Sequence, residues 1–189
     1  VATYSVGVAY NNRKASLQFI QQEMNNITAL SNETCQLGIQ SRNMVLYIAK
    51  KDSPQPIRLM SSVGKQLPLY CTGLGRALLA YKSEEEIRSL FPEVLTAYTP
   101  HTIATINDLL KELELTRQRG YAVEHEETNL MVNCIAVSLD YNNAPIAALS
   151  ISIPTFRISE SKEKEAVQIL WEAKQRIETH FKMYGVDFG

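Results

Sequence analysis

The chain has 189 residues, of which 45% are hydrophobic and 21% are charged, and its formal net charge is −1. This composition is that of an ordinary globular domain, long enough to bury a core without help from metals or disulfides. A free-standing nucleic-acid binder concentrates its basic residues in one patch, whereas the 19 lysines and arginines here are spread along the chain. The charge pattern therefore argues against direct DNA or RNA binding by these residues.

The cysteines and the hydropathy pattern restrict the compartment. Cys35, Cys71 and Cys134 are odd in number and irregularly spaced, which predicts neither a disulfide framework nor a zinc site. No apolar run approaches the roughly 18 residues of a membrane span, and no signal sequence is visible. We therefore expect a protein of the reducing cytoplasm, with no membrane partner, no metal and no other cofactor.

The first third of the chain predicts one helix followed by strands. Apolar residues recur at intervals of three and four over residues 13–30, as in a helix with one buried stripe. Three short, apolar, β-prone segments follow at 34–40, 44–50 and 57–63, separated by turn-forming residues, and they predict an antiparallel meander. The small residues of 67–81 then predict a helical segment.

The remaining elements complete a mixed fold. Ser83, with Glu86 three residues later, predicts a capping box at the start of a helix, and a second helix over 106–119 is expected to end at Gly120. The later pattern is of strands at 121–124, 133–141 and 145–154, the last two joined by an Asn142-Asn143 hairpin turn, and of a final helix over 159–183. We therefore predict one α+β domain over residues 1–189, an antiparallel sheet flanked by helices.

Five motifs in chain order carry a resemblance to one protein family. Residues 67–81 read LPLYCTGLGRALLAY, 98–103 read YTPHTI and 117–127 read RQRGYAVEHEE, followed by CIAV at 134–137 and AALSIS at 147–152. They resemble, in that order, the PL..TA.GKALLA, T..TIT, R..GYA.D.EE, C.AAPV and ALS.S motifs of IclR-type effector domains. The NET before the first predicted strand is similar to the family's GET, so the resemblance covers nearly the whole chain.

The resemblance implies a fold, a function and a set of partners. The family's domain is a GAF-like sheet flanked by helices, and in the full regulator a winged helix-turn-helix that reads DNA stands before it. No such module is visible in these residues, so the expectation is a C-terminal ligand-sensing domain that forms dimers or tetramers and reaches DNA only through the missing module. Its effectors would be small organic acids, and residues 67–70 resemble members that sense sugar acids such as 2-keto-3-deoxygluconate, a keto acid.

The resemblance also implies the positions of the effector contacts. Carried over residue by residue, they are Thr72, Gly73, Glu124, Cys134, Ser150 and Ser152. Glu124 departs from the pattern, because the family usually has Asp there. The extra methylene would push its carboxylate further into a cavity, or Glu124 could instead point to water, as exposed glutamates usually do.

Two features of these residues have a physical reading of their own. Gly73 and Gly75 stand at a predicted helix start, where missing side chains and free N–H groups would suit a carboxylate, or would simply allow tight packing of helix on sheet. Ser150 and Ser152 share one face of a strand, because strand side chains alternate. Their buried hydroxyls would need partners, either neighbouring carbonyls or a bound molecule.

Other functions compete with sensing. His125, Glu126 and Glu127 are consecutive and would point to opposite faces of a strand, so we do not expect a metal or general-base site there. Cys134 could be the nucleophile of an enzyme, but no histidine stands at a persuasive place to activate it, so we expect no enzyme. The third alternative is an oligomerisation module without a ligand.

Overall fold

The helices and strands of the computed structural model alternate in blocks. The structure describes residues 2–56, 62–186 and 188, and it describes side chains from residue 15 onward. The helices are α1 (Ala2–Ser31), α2 (Gly73–Leu79), α3 (Glu84–Leu90), α4 (Ile106–Arg119) and α5 (Glu160–Tyr184). The strands are β1 (Thr34–Ser41), β2 (Met44–Lys51), β3 (Gln66–Pro68), β4 (Ala122–His125), β5 (Val132–Tyr141) and β6 (Ala144–Pro154).

All six strands form one antiparallel sheet in the order β3-β2-β1-β6-β5-β4. The two long central strands, β5 and β6, form a hairpin whose turn residues Asn142 and Asn143 have φ of 52° and 63°. Two consecutive positive φ angles match the twist of the flanking strands, and asparagine tolerates them. The predicted α+β fold with an antiparallel sheet and flanking helices is confirmed.

Each side of the sheet carries its own core. On one side, α1 and α5 pack on strand residues of alternating position that include Leu37, Ile135, Val137, Leu149 and Ile151. On the other side, α2 and α4 cover a second core that includes Tyr47, Leu74, Leu109, Ala136 and Ala148. Because successive side chains of β5 and β6 point to opposite faces, the same two strands contribute to both cores. We call the second side the α2 face.

Several local predictions are confirmed. Ser83 and Glu86 form the predicted capping box at the start of α3, with both reciprocal hydrogen bonds present. α4 ends at Gly120, whose φ of 78° lies in the left-handed region that favours glycine. The final helix predicted over 159–183 is α5, which Ser159 caps by accepting a hydrogen bond from the backbone N–H of Lys162. In the described part of the chain, no helix combines the length and the apolar character that crossing a bilayer requires.

Three element predictions need correction. The predicted strand at 57–63 lies mostly outside the described residues, and the third strand of the meander is instead β3, Gln66–Pro68. The segment predicted as helical over 67–81 is mixed, since a 3₁₀ turn at Leu69–Cys71 precedes the short α2. Pro68 has no N–H to donate within a helix, so it stands at an edge strand instead. α1 begins at Ala2, well before the predicted start at residue 13.

Candidate ligand-binding site

The strand residues named from the sequence lie side by side on the α2 face. β4, β5 and β6 are neighbours, and their register places Glu124 opposite Cys134 and Cys134 opposite Ser152. Ser150 is two residues along β6 from Ser152 and therefore on the same face. It lies opposite Gln36 of β1, a residue that sequence reasoning missed. We call these five residues the polar patch.

Hydrogen bonds link the polar patch. The Ser152 hydroxyl donates to Gln36 Oε1 at 3.0 Å, and the Ser150 hydroxyl is 3.5 Å from the same oxygen. The Cys134 Sγ lies 3.0 Å from the Ser152 hydroxyl oxygen. The serines therefore bond to a side chain rather than to the neighbouring carbonyls expected for a purely structural role. The signal for Gln36 was its position as a polar residue within an apolar strand.

Glu124 is the acidic member of the patch and is only 1% exposed, so it does not point to water. Its Oε1 accepts hydrogen bonds from the backbone N–H groups of Glu127 at 2.5 Å and Thr128 at 3.4 Å. Burial raises the pKa of Glu124 from 4.5 to about 7, a rise that the Glu127 N–H opposes and the Glu127 carboxylate reinforces. Near neutral pH this carboxyl group therefore exchanges between an acceptor and a donor form.

Cys134 lies at the centre of the patch. Burial, reinforced by the nearby Glu124 carboxylate, raises the pKa of its thiol well above the ordinary value. Its surface nevertheless keeps a solvent-accessible fraction, whereas Glu124 and Ser152 on either side are buried. Solvent therefore reaches the centre of the patch at Cys134.

The start of α2 lies directly over β5. Thr72 caps the helix, because its hydroxyl oxygen accepts from the Gly75 N–H at 3.1 Å and its hydroxyl donates to the Pro68 carbonyl at 3.2 Å. A Cβ at Gly73 would lie 3.2 Å from the Cβ of Cys134. The structure therefore brings Gly73 beside Cys134 of the patch, whereas the Thr72 hydroxyl is engaged in capping the same helix start.

Gly75 has a packing role. A Cβ at this position would lie 2.2 Å from the backbone oxygen of Leu69, a distance that no side chain can occupy. Of the two explanations that the sequence left open for this glycine, tight packing is the one that the structure supports. At Gly73 the close approach to Cys134 serves packing as well, and it also places the helix start beside the polar patch.

A buried ion pair that sequence reasoning missed holds the surrounding loops. Arg76 of α2 is 2% exposed, and its Nη2 lies 2.5 Å from Glu127 Oε2. Its remaining groups donate to the carbonyls of Tyr70 at 2.9 Å and Val123 at 3.0 Å. Glu127 Oε2 also accepts from the Ile103 N–H at 3.1 Å. Arg76 therefore connects the 3₁₀ turn, β4 and two loops around the patch.

The acidic and histidine residues after β4 diverge. His125 Nδ1 lies 3.0 Å from Asn133 Oδ1, whereas Glu127 is directed to Arg76. The Glu126 carboxylate accepts from the backbone N–H of Met131 at 2.6 Å. These three side chains do not converge on one point, and the described residues contain no group of three or more potential metal ligands.

The fold and the patch together describe an α+β domain with a hydrogen-bonding site buried between a sheet and a short helix. A family model described as the C-terminal domain of the bacterial transcriptional regulator IclR matches residues 10–179. The chain belongs to this IclR family. The family inferred from the five sequence motifs is thereby confirmed.

Individual relatives agree with the family match. The HTH-type transcriptional regulator KdgR of Dickeya chrysanthemi is 38% identical over 157 residues, which are 82% of this chain and 52% of that protein. The HTH-type transcriptional repressor AllR of Escherichia coli K12 is 32% identical over 181 residues, 95% of this chain and 67% of AllR. The chain thus spans about half to two thirds of the length of these relatives.

A solved structure supports the fold. The crystal structure of the C-terminal domain of the Escherichia coli transcriptional regulator KdgR is 32% identical to this chain and superposes with a TM-score of 0.79. The match covers 87% of this chain and 97% of that domain. The same fold therefore recurs in the solved C-terminal domain of a relative.

Proposed function

We propose that this domain senses a small organic acid for a bacterial transcriptional regulator, and that binding changes how a helix-turn-helix module of the same regulator holds DNA. The contacts we propose are Thr72, Gly73, Glu124, Cys134, Ser150 and Ser152, with Gln36 added from the structure. Membership of the IclR family and the helix-turn-helix names of KdgR and AllR support the regulatory part.

The observation that carries the proposal is the polar patch itself. The opposite face of the same strands buries aliphatic side chains such as Ile135, Leu149 and Ile151. On the α2 face, positions of equal burial hold Gln36, Ser150 and Ser152 instead. Because burying polar groups costs free energy that burying apolar residues does not, a row of them around the partly accessible Cys134 is typical of a binding site.

The chemistry of the patch favours an acid with several oxygens. The two serine hydroxyls, and Glu124 in its protonated form, can donate hydrogen bonds to carboxylate, keto or hydroxyl oxygens. Keto acids and sugar acids such as 2-keto-3-deoxygluconate carry such groups within a few bonds of one another. A ligand changes the regulator only through its different affinities for the two DNA-binding states, so the site has to differ between them.

The patch does not support the alternative of a Cys134-dependent enzyme. A nucleophilic cysteine needs a lowered pKa and a base within hydrogen-bond reach. The pKa of Cys134 is raised, and its neighbours are the Ser152 hydroxyl and a carboxylate whose charge opposes thiolate formation. We propose that Cys134 is a ligand-contacting thiol and that the domain is not an enzyme.

The test is a binding survey with a matched pair of variants. Wild-type protein is titrated with pyruvate, 2-keto-3-deoxygluconate and 4-hydroxybenzoate in thermal-shift and calorimetric experiments. An acid that binds should, at 100 times its Kd, raise the free energy of unfolding by about 2.7 kcal/mol. Removing both patch hydroxyls in S150A/S152A should weaken that binding by about tenfold or more.

The exposed hydroxyl of Ser89, which donates to the Glu86 carbonyl on α3, provides the control. S89A should bind the acid as the wild type does. Absence of a shift with all three acids would contradict the proposed effector class. Unchanged affinity in S150A/S152A would contradict the proposed location.

We also propose that the domain forms dimers or tetramers through the outer surface of α1 and α5. A groove there is lined by Phe19, His180, Met183 and Tyr184, and the last two are 68% and 59% exposed. Exposed apolar surface of this kind marks association sites.

In sedimentation velocity, M183K should shift the protein toward monomer. M131K, at a 60% exposed methionine elsewhere, should not, and equal behaviour of the two variants would contradict this surface.

A further inference from the structure

Tyr47 of β2 lies in the same core as the start of α2. It pairs with Gly38 of β1, one strand away from Ser150 and Ser152. Val45, two residues before it, faces the same core, so strand alternation directs both side chains to the α2 face. Tyr47 is only 7% exposed.

The Tyr47 hydroxyl has no hydrogen-bond partner among the described residues, and its oxygen is not one of the wholly buried atoms that lack a partner, so it keeps an accessible surface. Tyr70 and Tyr81 show the usual arrangement. The buried Tyr70 donates to the Thr96 carbonyl at 2.7 Å, and Tyr81 donates to Asp140 Oδ2 at 2.5 Å. Because the phenol of a largely buried tyrosine normally finds a partner, an accessible hydroxyl without a protein partner is free to donate to a bound acceptor.

The surroundings of this hydroxyl are those of the polar patch. Burial raises the pKa of Tyr47, and the charges that add to the effect belong to Cys134, Glu124 and Cys71. The first two are patch residues, and Cys71 is in the 3₁₀ turn that leads to Thr72. The phenol therefore stays protonated and is a hydrogen-bond donor at neutral pH.

We propose that the Tyr47 hydroxyl is a further effector contact, which donates a hydrogen bond to an oxygen of the bound acid from the β2 side of the polar patch. This inference rests on the proposed function. Tyr47 would then favour acids that carry an acceptor oxygen on the β2 side, because an acid without such an oxygen would leave the phenol unpaired. A hydroxy, keto or carboxylate oxygen of the acid is an acceptor that fits.

The test compares Y47F with Y70F. Without ligand, Y47F should keep the melting temperature of the wild type or exceed it, because no hydrogen bond is lost. Y70F loses the bond to Thr96 and should melt about 3 °C lower. In calorimetric titration with 2-keto-3-deoxygluconate, Y47F should bind about tenfold more weakly than the wild type, and Y70F should bind equally well.

The outcomes separate this inference from the function on which it rests. Loss of melting temperature in Y47F as large as in Y70F would show a structural hydrogen bond and overturn the assignment. Wild-type affinity of Y47F for 2-keto-3-deoxygluconate, with S150A/S152A still weakened, would overturn the Tyr47 contact alone. Failure of the wild type to bind pyruvate, 2-keto-3-deoxygluconate or 4-hydroxybenzoate would instead contradict the proposed function and the Tyr47 contact with it.

Discussion

Replacement of Arg76 by methionine is expected to lower the free energy of unfolding by about 3–5 kcal/mol, because it leaves the buried Glu127 carboxylate without its partner. The carbonyls of Tyr70 and Val123 lose their donors in the same step. Urea denaturation followed by circular dichroism measures the change. Removing both charges in R76M/E127M should recover much of the lost stability, because two apolar side chains of similar volume fill the same space and leave no unpaired buried charge.

The control for Arg76 is an exposed arginine with a similar number of partners. Arg88 of α3 contacts Glu84, Glu93 and Asn107 at the surface, where solvent screens its charge. R88M should change stability far less than R76M. Equal effects of R76M and R88M, or a double variant no more stable than R76M, would contradict the account of Arg76 as the buried anchor of the loops around the patch.

The stability of the domain is expected to fall as pH rises from about 4.5 to about 7, through the titration of Glu124. In the folded protein its pKa is raised to about 7, whereas in the unfolded chain it stays near 4.5. Between these values the folded state holds a proton that the unfolded state has released, so raising the pH favours unfolding. The proton on Glu124 thus stabilises the folded state by about 3 kcal/mol below pH 4.5, and this stabilisation is lost as the pH passes 7.

E124Q isolates this contribution from the other titrations of the protein. The amide resembles the protonated carboxyl group and does not titrate, so the stability of E124Q relative to the wild type should grow by about 2.5 kcal/mol between pH 5 and pH 8. E85Q, at an exposed position of α3, is the matched substitution and should show no such trend. A pH-independent difference between E124Q and the wild type would contradict the burial of an ionisable Glu124.

The same titration bears on the proposed effector. An acid that binds as an anion beside Glu124 avoids repulsion only while this carboxyl group keeps its proton. The charge of Glu127 raises the pKa of Glu124 and the charge of Arg76 lowers it, so the two effects partly offset each other. Effector affinity should therefore decline above pH 7 in the wild type and stay level in E124Q, which calorimetric titrations at pH 6 and pH 8 measure.

Sequence reasoning found those site residues that lie in motifs or at regular spacing. Ser150 and Ser152 share a face by strand alternation, and Cys134 was placed on the neighbouring strand by the hairpin turn. Gln36 and Tyr47 belong to strands far away along the chain. They reach the same face only because β1 lies between β6 and β2, and no local pattern encodes that neighbour order.

The sequence by itself determined the family, the α+β class, the helix caps and the hairpin turn, because these depend on periodicity, capping residues and motifs that act over a few positions. The tertiary structure decided what each buried polar group does. Whether Gly75 meets a ligand or Leu69, whether Glu124 points to water or to backbone N–H groups, and whether Arg76 is free or paired depend on contacts between segments distant in the chain. Such contacts follow from how the sheet and α2 pack together, which short-range patterns do not contain.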